Sequence, residues 1–279
     1  MARPRLEIER ASRVAARAVD ARSRRFTLPP RSGMLAGLMN DAPPRPQLSA
    51  VVPAYNEVES LPALVAELSA ALEATGRTWE MLLVDDGSRD GTGEAMEAQA
   101  AREPRIRVLR LERNAGQSAA LAAGLVRARG EVVITLDADL QNDPADIPLL
   151  LAALANADVV SGVRERRNDP WLRRVSSRVA NATRRAVLGD KVTDIGCSLK
   201  AYRREALQDL PMFVGAHRFL PALCAFRGAR LVEVAVHHRA RTRGVSKYGM
   251  GNRLWRGIHD LIGVSWLKQR LVRYRVRGE

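Results

Sequence analysis

Two carboxylates one residue apart, Asp137 and Asp139, stop an uncharged run from Val132 to Leu136. Alternate residues of an extended chain share a face. Both acids therefore leave on one side, and Gln141 extends the row with a neutral oxygen. Hard oxygen donors of this kind suit Mg2+ or Mn2+, which complete their shells with water and substrate phosphate. A metal-diphosphate site is the chemistry this stretch could perform. The plain alternative is that acids at a strand end only cap the next helix, and Asp143-Pro144 has the composition of such a start.

Other strand ends carry unusual residues as well. Val51-Val52 is followed by Pro53-Ala54-Tyr55-Asn56-Glu57, and Leu83-Val84 by Asp85-Asp86-Gly87-Ser88-Arg89-Asp90-Gly91-Thr92. Gly87 and Gly91 permit tight turns with positive φ. The paired acids could accept from a base's ring N–H and exocyclic amine or from ribose hydroxyls, or the segment is an ordinary solvated turn. A third loop, Asn114-Ala115-Gly116-Gln117, leads into a helix so rich in small residues, Ala119 to Gly124, that it must pack closely. Neither a G-x-G-x-x-G nor a Walker loop occurs, so a diphosphate here must be held by metal.

The elements that must position these loops alternate regularly. Strand patterns lie near 48–53, 79–85, 105–111, 131–136 and 157–162, separated by helical stretches, which predicts an α/β fold with a mostly parallel sheet. Ligands of such sheets gather at the strands' carboxyl ends. In the first helix Ser60 is a candidate cap, Pro62 sits in the first turn, and Leu61, Leu64, Val65, Leu68 and Leu72 recur at core spacing.

The 279 residues allow one large or two modest domains, and 46% hydrophobic content supplies a core. The net charge of +14 admits nucleic acid, an anionic membrane surface or phosphate substrates as partners. Only four of the 45 basic residues are lysines. That bias reflects composition as much as function, so position carries more meaning than the total. Cys197 and Cys224 make neither a disulfide framework nor a metal spacing. Residues 1–47 contain ten arginines and several prolines without a strand pattern, and read as a basic, disordered arm with no signal peptide. Met34 and Met39 stand just upstream of the first strand, so part of this arm reads as a mis-assigned start.

Three motifs together, VVPAYNE at 51–57, DDGSRDGT at 85–92 and DADLQNDP at 137–144, resemble the GT-A, family 2 inverting glycosyltransferases. Within that family the chain is similar to dolichol- and polyprenyl-phosphate sugar synthases, on DADLQNDP, TDIGCSLKAYRR at 193–204 and RGVSKYG at 243–249. The resemblance spans roughly 48–250 and implies the GT-A nucleotide-diphospho-sugar fold. It implies that Pro53, Tyr55, Glu57 and an acid of the pair Asp85 and Asp86 line the nucleoside pocket. It places Asp137, Asp139 and Gln141 on Mg2+ or Mn2+. Arg164, Arg173 and Ser177 match residues that hold the lipid phosphate, for which forked guanidinium donors are suited. Asp194, Lys200 and Tyr202 close the pocket floor. Arg243, Ser246 and Lys247 sit on a mobile lid, with Lys247 reaching the donor; such a lid could exclude water.

The tail, 251–279, has no apolar stretch approaching the roughly 20 residues of a spanning helix. Leu254, Trp255, Ile258, Leu261, Ile262 and Trp266 recur at helical spacing ahead of Lys268, Arg270, Arg273, Arg275 and Arg277. This is the pattern of an interfacial anchor, or of an amphipathic helix docked on the domain. The expected activity is transfer of a sugar from a nucleotide-diphosphate donor, GDP-mannose or a UDP-hexose, to a polyprenyl monophosphate, with inversion. The product would be a lipid-linked monosaccharide for envelope glycan modification, made by a peripheral enzyme at the cytoplasmic face of the membrane. The resemblance leaves room for a separate small membrane protein as partner. Sugar-to-sugar transfer needs a carboxylate base, and the Q-x-x-R-W signature of such synthases is absent. A non-catalytic basic protein binding nucleic acid is disfavoured by 4% aromatics and acids concentrated at strand ends.

Overall fold

The predicted strands form because each uncharged run can bury both faces between helix layers. In the computed structural model, which describes residues 45–164, 182–190, 192–240 and 253–271, β1 (Leu48–Ala54), β2 (Trp79–Asp85) and β4 (Val132–Thr135) are buried throughout. β3 (Ile106–Arg110) and β5 (Val159–Arg164) are less enclosed. Two strands escaped the sequence pattern, β6 (Lys200–Arg203) and β7 (Leu231–Val236). The four residues of β6, Lys-Ala-Tyr-Arg, are too short and too polar to show a strand period. All seven strands join one sheet in the order β3-β2-β1-β4-β6-β5-β7. β6 runs antiparallel to both β4 and β5, and every other pairing is parallel.

The helices are α1 (Leu61–Glu73), α2 (Thr92–Arg102), α3 (Gln117–Arg127), α4 (Ile147–Ala153), α5 (Ala216–Phe226) and α6 (Arg253–Arg270). Alternation sorts the sheet's side chains into two cores. Ala50, Val52, Met81 and Leu83 pack with Leu64, Leu68 and Leu150 of α1 and α4. Val51, Leu82, Val84 and Val133 face Leu121 of α3 and Leu220 of α5. The small-residue helix packs as closely as expected: a Cβ added at Gly124 would lie 2.3 Å from Val51 Cγ1 and 3.1 Å from Val84 Cγ2. Only glycine lets α3 settle onto β1.

A third cluster joins Phe219, Leu223 and Phe226 of α5 to Leu188 and to Val264 of α6. Lys268 Nζ donates to the Leu188 carbonyl at 2.6 Å. The inner face of α6 is therefore core, as in the docked-helix alternative. Ile262 and Trp266 nevertheless remain 64% and 61% exposed. The side chains of Leu254, Trp255 and Ile258, and the basic residues Arg273, Arg275 and Arg277, lie outside the described residues, as does the expected basic arm up to 44. No helix among the described residues is long and apolar enough to cross a membrane.

Candidate active site

The chain leaves β4 at Thr135, whose Oγ1 donates to the Ser198 carbonyl at 3.0 Å. Ser198 Oγ in turn accepts from the Asp137 amide at 3.1 Å and from Asn142 Nδ2 at 2.6 Å, pinning both flanks of the acid turn to the segment before β6. Asp137 Oδ1 accepts from Gln117 Nε2 at 2.6 Å, so the first residue of α3 orients this carboxylate. Asp139 Oδ1 accepts from the Gln141 amide at 3.2 Å. Leu140 between them has φ 60°, left-handed backbone that a branched residue adopts only where its surroundings impose it. Asp143 accepts from the Ala145 amide at 3.0 Å and Pro144 opens a 3-10 turn, so the helix-start reading also holds. Capping belongs to Asp143, which leaves the capping explanation unnecessary for Asp137 and Asp139.

Among the described residues no three His, Cys, Asp or Glu groups cluster around one point. Two carboxylates and one amide oxygen on a single turn nevertheless fit Mg2+ or Mn2+, which keep waters and substrate phosphates rather than an all-protein cage.

Ser60 does not cap α1 through its side chain. The Glu57 carbonyl instead accepts from the Ser60 and Leu61 amides, while the Ser60 hydroxyl lies 2.8 Å from the Ala138 carbonyl. The cap was lost to a stronger tertiary demand, since that hydroxyl ties the Tyr55–Glu57 loop to the acid turn. The same loop is stitched to its other neighbour. The Asn56 amide donates to Ser88 Oγ at 2.9 Å, the Arg89 amide to Asn56 Oδ1 at 2.8 Å, and the Glu57 amide to Thr92 Oγ1 at 2.9 Å.

Asp85 and Asp86 are both buried but do different work. Asp86 accepts from the Ala115 and Gly116 amides at 2.8 and 2.9 Å and from Asn114 Nδ2 at 3.0 Å, clamping the loop before α3. Burial raises its pKa against those N–H donors, and the Asp85 charge adds to the rise. Asp85 accepts from the Ser88 amide at 2.8 Å and lines a cleft of about 300 Å³ with Gly87, Ser88, Arg89 and Arg110. Of the expected pair, Asp85 is the one that lines this cleft, with Arg110 Nε 3.5 Å from its Oδ2. Gly87 has φ 68°, and an added Cβ would sit 2.5 Å from the Arg113 backbone. Its close approach is to a neighbouring loop rather than to a ligand.

A second cavity, of about 140 Å³, opens beside Asp137 and is lined by Pro53, Gln117, Lys200, His217 and Arg218 among others. Arg218 pairs with Asp260 of α6. Ser118 Oγ accepts from the Gly215 amide at 3.0 Å and shares a hydrogen bond with His217 Nδ1, 2.8 Å away. Burial first, then the charges of Arg218 and Lys200, push the His217 pKa down to about 3 and keep the imidazole neutral. Arg164, at the end of β5, makes a two-pronged pair with Asp194 at 2.7 and 2.8 Å. Arg173, Ser177, Arg243, Ser246 and Lys247 lie outside the described residues. The chain entering the expected lid is held to the acid turn, because the Arg239 amide donates to the Gln141 carbonyl at 2.8 Å and its guanidinium meets Asp143 at 2.7 Å.

The sequence reading missed the roles of Gln117, Ser198 and Arg218. Gln117 and Ser198 stand inside segments already singled out, while nothing in the pattern of α5 marks Arg218.

Residues 49–211 match the family model described as Glycosyl transferase family 2. The chain is 41% identical over 244 residues to the dodecaprenyl-phosphate galacturonate synthase of Rhizobium johnstonii, covering 85% of this chain and 71% of that protein. It is 41% identical over 226 residues to the undecaprenyl-phosphate 4-deoxy-4-formamido-L-arabinose transferase of Salmonella paratyphi A, covering 80% and 69%. Two solved structures share the fold. One is glucosyl-3-phosphoglycerate synthase of Mycobacterium tuberculosis with Mn2+, UDP-Glc and phosphoglyceric acid, at TM-score 0.61, 21% identity and 82% and 81% coverage. The other is a mannosyltransferase of Pyrobaculum calidifontis with GDP-Man and Mn2+, at TM-score 0.57, 23% identity and 83% and 66% coverage. The matched segment begins in β1, contains the clamped Asp85-Asp86 loop and the acid turn, and runs past β6; the chain belongs to glycosyl transferase family 2, with the GT-A fold.

Proposed function

We propose that the protein transfers a single sugar from a nucleotide-diphosphate donor to a polyprenyl monophosphate, inverting the anomeric carbon. The observation that carries this is Asp137, first residue of the acid turn that continues to Asp139 and Gln141, lining a cavity furnished with cations, Lys200 and Arg218. The lipid acceptor is supported by the two relatives, which are named for dodecaprenyl and undecaprenyl phosphate. Their sugars differ from each other, so the sugar is not carried over.

Asp137, Asp139 and Gln141 would hold Mg2+ or Mn2+, which when bound neutralises the departing diphosphate. The protein's own part is positioning. Gln117 fixes the Asp137 carboxylate, and the Ser198 and Ser60 hydroxyls hold the turn that presents it. Asp85 stands in the neighbouring cleft, where a ribose or base would donate to it. A phosphate monoester has its second pKa near ~6, so the acceptor is already an anion at neutral pH. No general base is demanded, and oriented arginines suffice. Arg164, fixed by Asp194, is the described candidate for that task, beside Arg173 and Ser177. The lid residues Arg243, Ser246 and Lys247 would close over the donor.

Attachment is peripheral, through the exposed Ile262 and Trp266 of α6 and the basic residues that follow, on the cytoplasmic side where nucleotide sugars are held. Each Lys or Arg near an anionic surface contributes about 1 kcal/mol, so vesicle binding weakens in high salt.

The test is incubation of the full chain with radiolabelled UDP- and GDP-sugars, polyprenyl phosphate and Mn2+. Label entering the lipid fraction from one donor is the expected result. Label transferred only to a sugar acceptor, or to none, overturns the reading.

A further inference from the structure

Lys200 is a cation that the fold encloses without an ion pair among the described residues. Antiparallel β6 carries it to the wall of the 140 Å³ cavity, where it is 3% exposed. Its ammonium donates to the Cys197 carbonyl and, among the described residues, forms no ion pair. An ammonium has three donors. The nearest acids are otherwise engaged, Asp194 by the two-pronged Arg164 and Asp137 by Gln117. Burial pushes the Lys200 pKa down, with Asp137 and Asp194 partly opposing at longer range.

A charge in this position costs folding free energy unless something arrives to pair it. The rest of the cavity supplies donors as well. Arg218 lines it with its Nε buried and without a hydrogen-bond partner, and His217 is neutral, so neither brings an anion. The space compares with the ~150 Å³ that admits one six-membered ring. The donors converging on this cavity suit an oxyanion.

We infer that Lys200 is an oxyanion-binding residue of the reaction cavity, pairing a phosphate oxygen of the reactants; this rests on the transferase reading and adds a residue to it. The oxygen belongs either to the donor's diphosphate or to the lipid monophosphate. Both present the same chemistry to an ammonium, and kinetics separates them.

The experiment compares Lys200→Met and Lys200→Arg with wild type. Lys200→Met removes an unpaired buried charge, so without ligand it should melt no lower than wild type. Its turnover should fall about 10–100-fold, the worth of one charged hydrogen bond, and Lys200→Arg should recover most of that loss. The thermal shift given by pyrophosphate with Mn2+, or by farnesyl phosphate, should shrink in Lys200→Met alone. A KM raised for the nucleotide sugar assigns the contact to the donor; one raised for the lipid assigns it to the acceptor. A methionine variant that melts lower yet turns over normally makes Lys200 structural and overturns the proposal. So does a full ligand shift in that variant. Should Lys200→Met not fold, Lys200→Gln gives the same comparison with the charge removed. If wild type transfers no sugar yet its pyrophosphate shift depends on Lys200, the transferase reading fails and the oxyanion site stands.

Discussion

The two edges of the sheet treat buried charge in opposite ways. At the amino edge, Glu80 of β2 is buried and accepts from Ser49 Oγ at 2.7 Å, the Arg129 amide at 2.7 Å, Arg129 Nε at 2.9 Å and Arg107 at 2.9 Å. Burial alone would raise its pKa, but those donors together hold it below the usual carboxylate range. Four donors roughly fill the lone-pair sites of a carboxylate, which leaves no capacity for a ligand. At the carboxyl edge, Lys200 is enclosed with one carbonyl, and Asp137 stands beside a cavity. A saturated charge holds a fold together. Lys200, which makes no ion pair among the described residues and lines an opening, has capacity for a substrate.

Four experiments would break or sharpen this contrast. The largest effect should come from Asp139→Asn, which removes a metal-ligating charge and should lower turnover about 10²–10³-fold while the melting temperature stays near that of wild type. An active Asp139→Asn protein would remove the metal site from the carboxyl edge. At the other edge the outcome should reverse: Glu80→Gln strands two arginines and should cost about 2–3 kcal/mol in urea unfolding, with KM for both substrates unchanged. Smaller, and bridging the two behaviours, is Asp260. It holds Arg218 at the cavity from α6, so a double-mutant cycle of Asp260→Asn with Arg218→Ala should show about 1–2 kcal/mol of coupling in kcat/KM; additive effects would mean that α6 does not act on the site.

The last concerns His217. Its folded pKa, about 3, lies below the ordinary 6.5, so the unfolded chain takes up the proton first as pH falls. The stability it contributes is complete above pH 6.5 and declines toward pH 3, at about 1.4 kcal/mol per pH unit. Stability curves of wild type and His217→Gln should converge over that window; parallel curves would show that the imidazole titrates freely.

Much of the donor side was legible in the residues themselves. The runs in β1, β2 and β4 have one stable home, a sheet covered on both faces, and the loops after them must emerge at one edge. The small residues Ala119 to Gly124 announced a closely packed α3, and the structure gives Val51 as the neighbour of Gly124. Only the tertiary structure divided the labour of Asp85 and Asp86, because nothing local says that Asp86 will meet the amides of Ala115 and Gly116, some thirty residues on. Ser60 looked like a cap and became a strut to Ala138 for the same reason. β6 carries too little pattern to be seen, yet its antiparallel insertion puts Lys200 into the wall of the cavity. Spacing along the chain thus determined which residues reach the carboxyl edge, since strand period and burial are local properties. Which charges would be saturated there, and which left open, was decided by partners distant in sequence, whose arrival only the folded chain arranges.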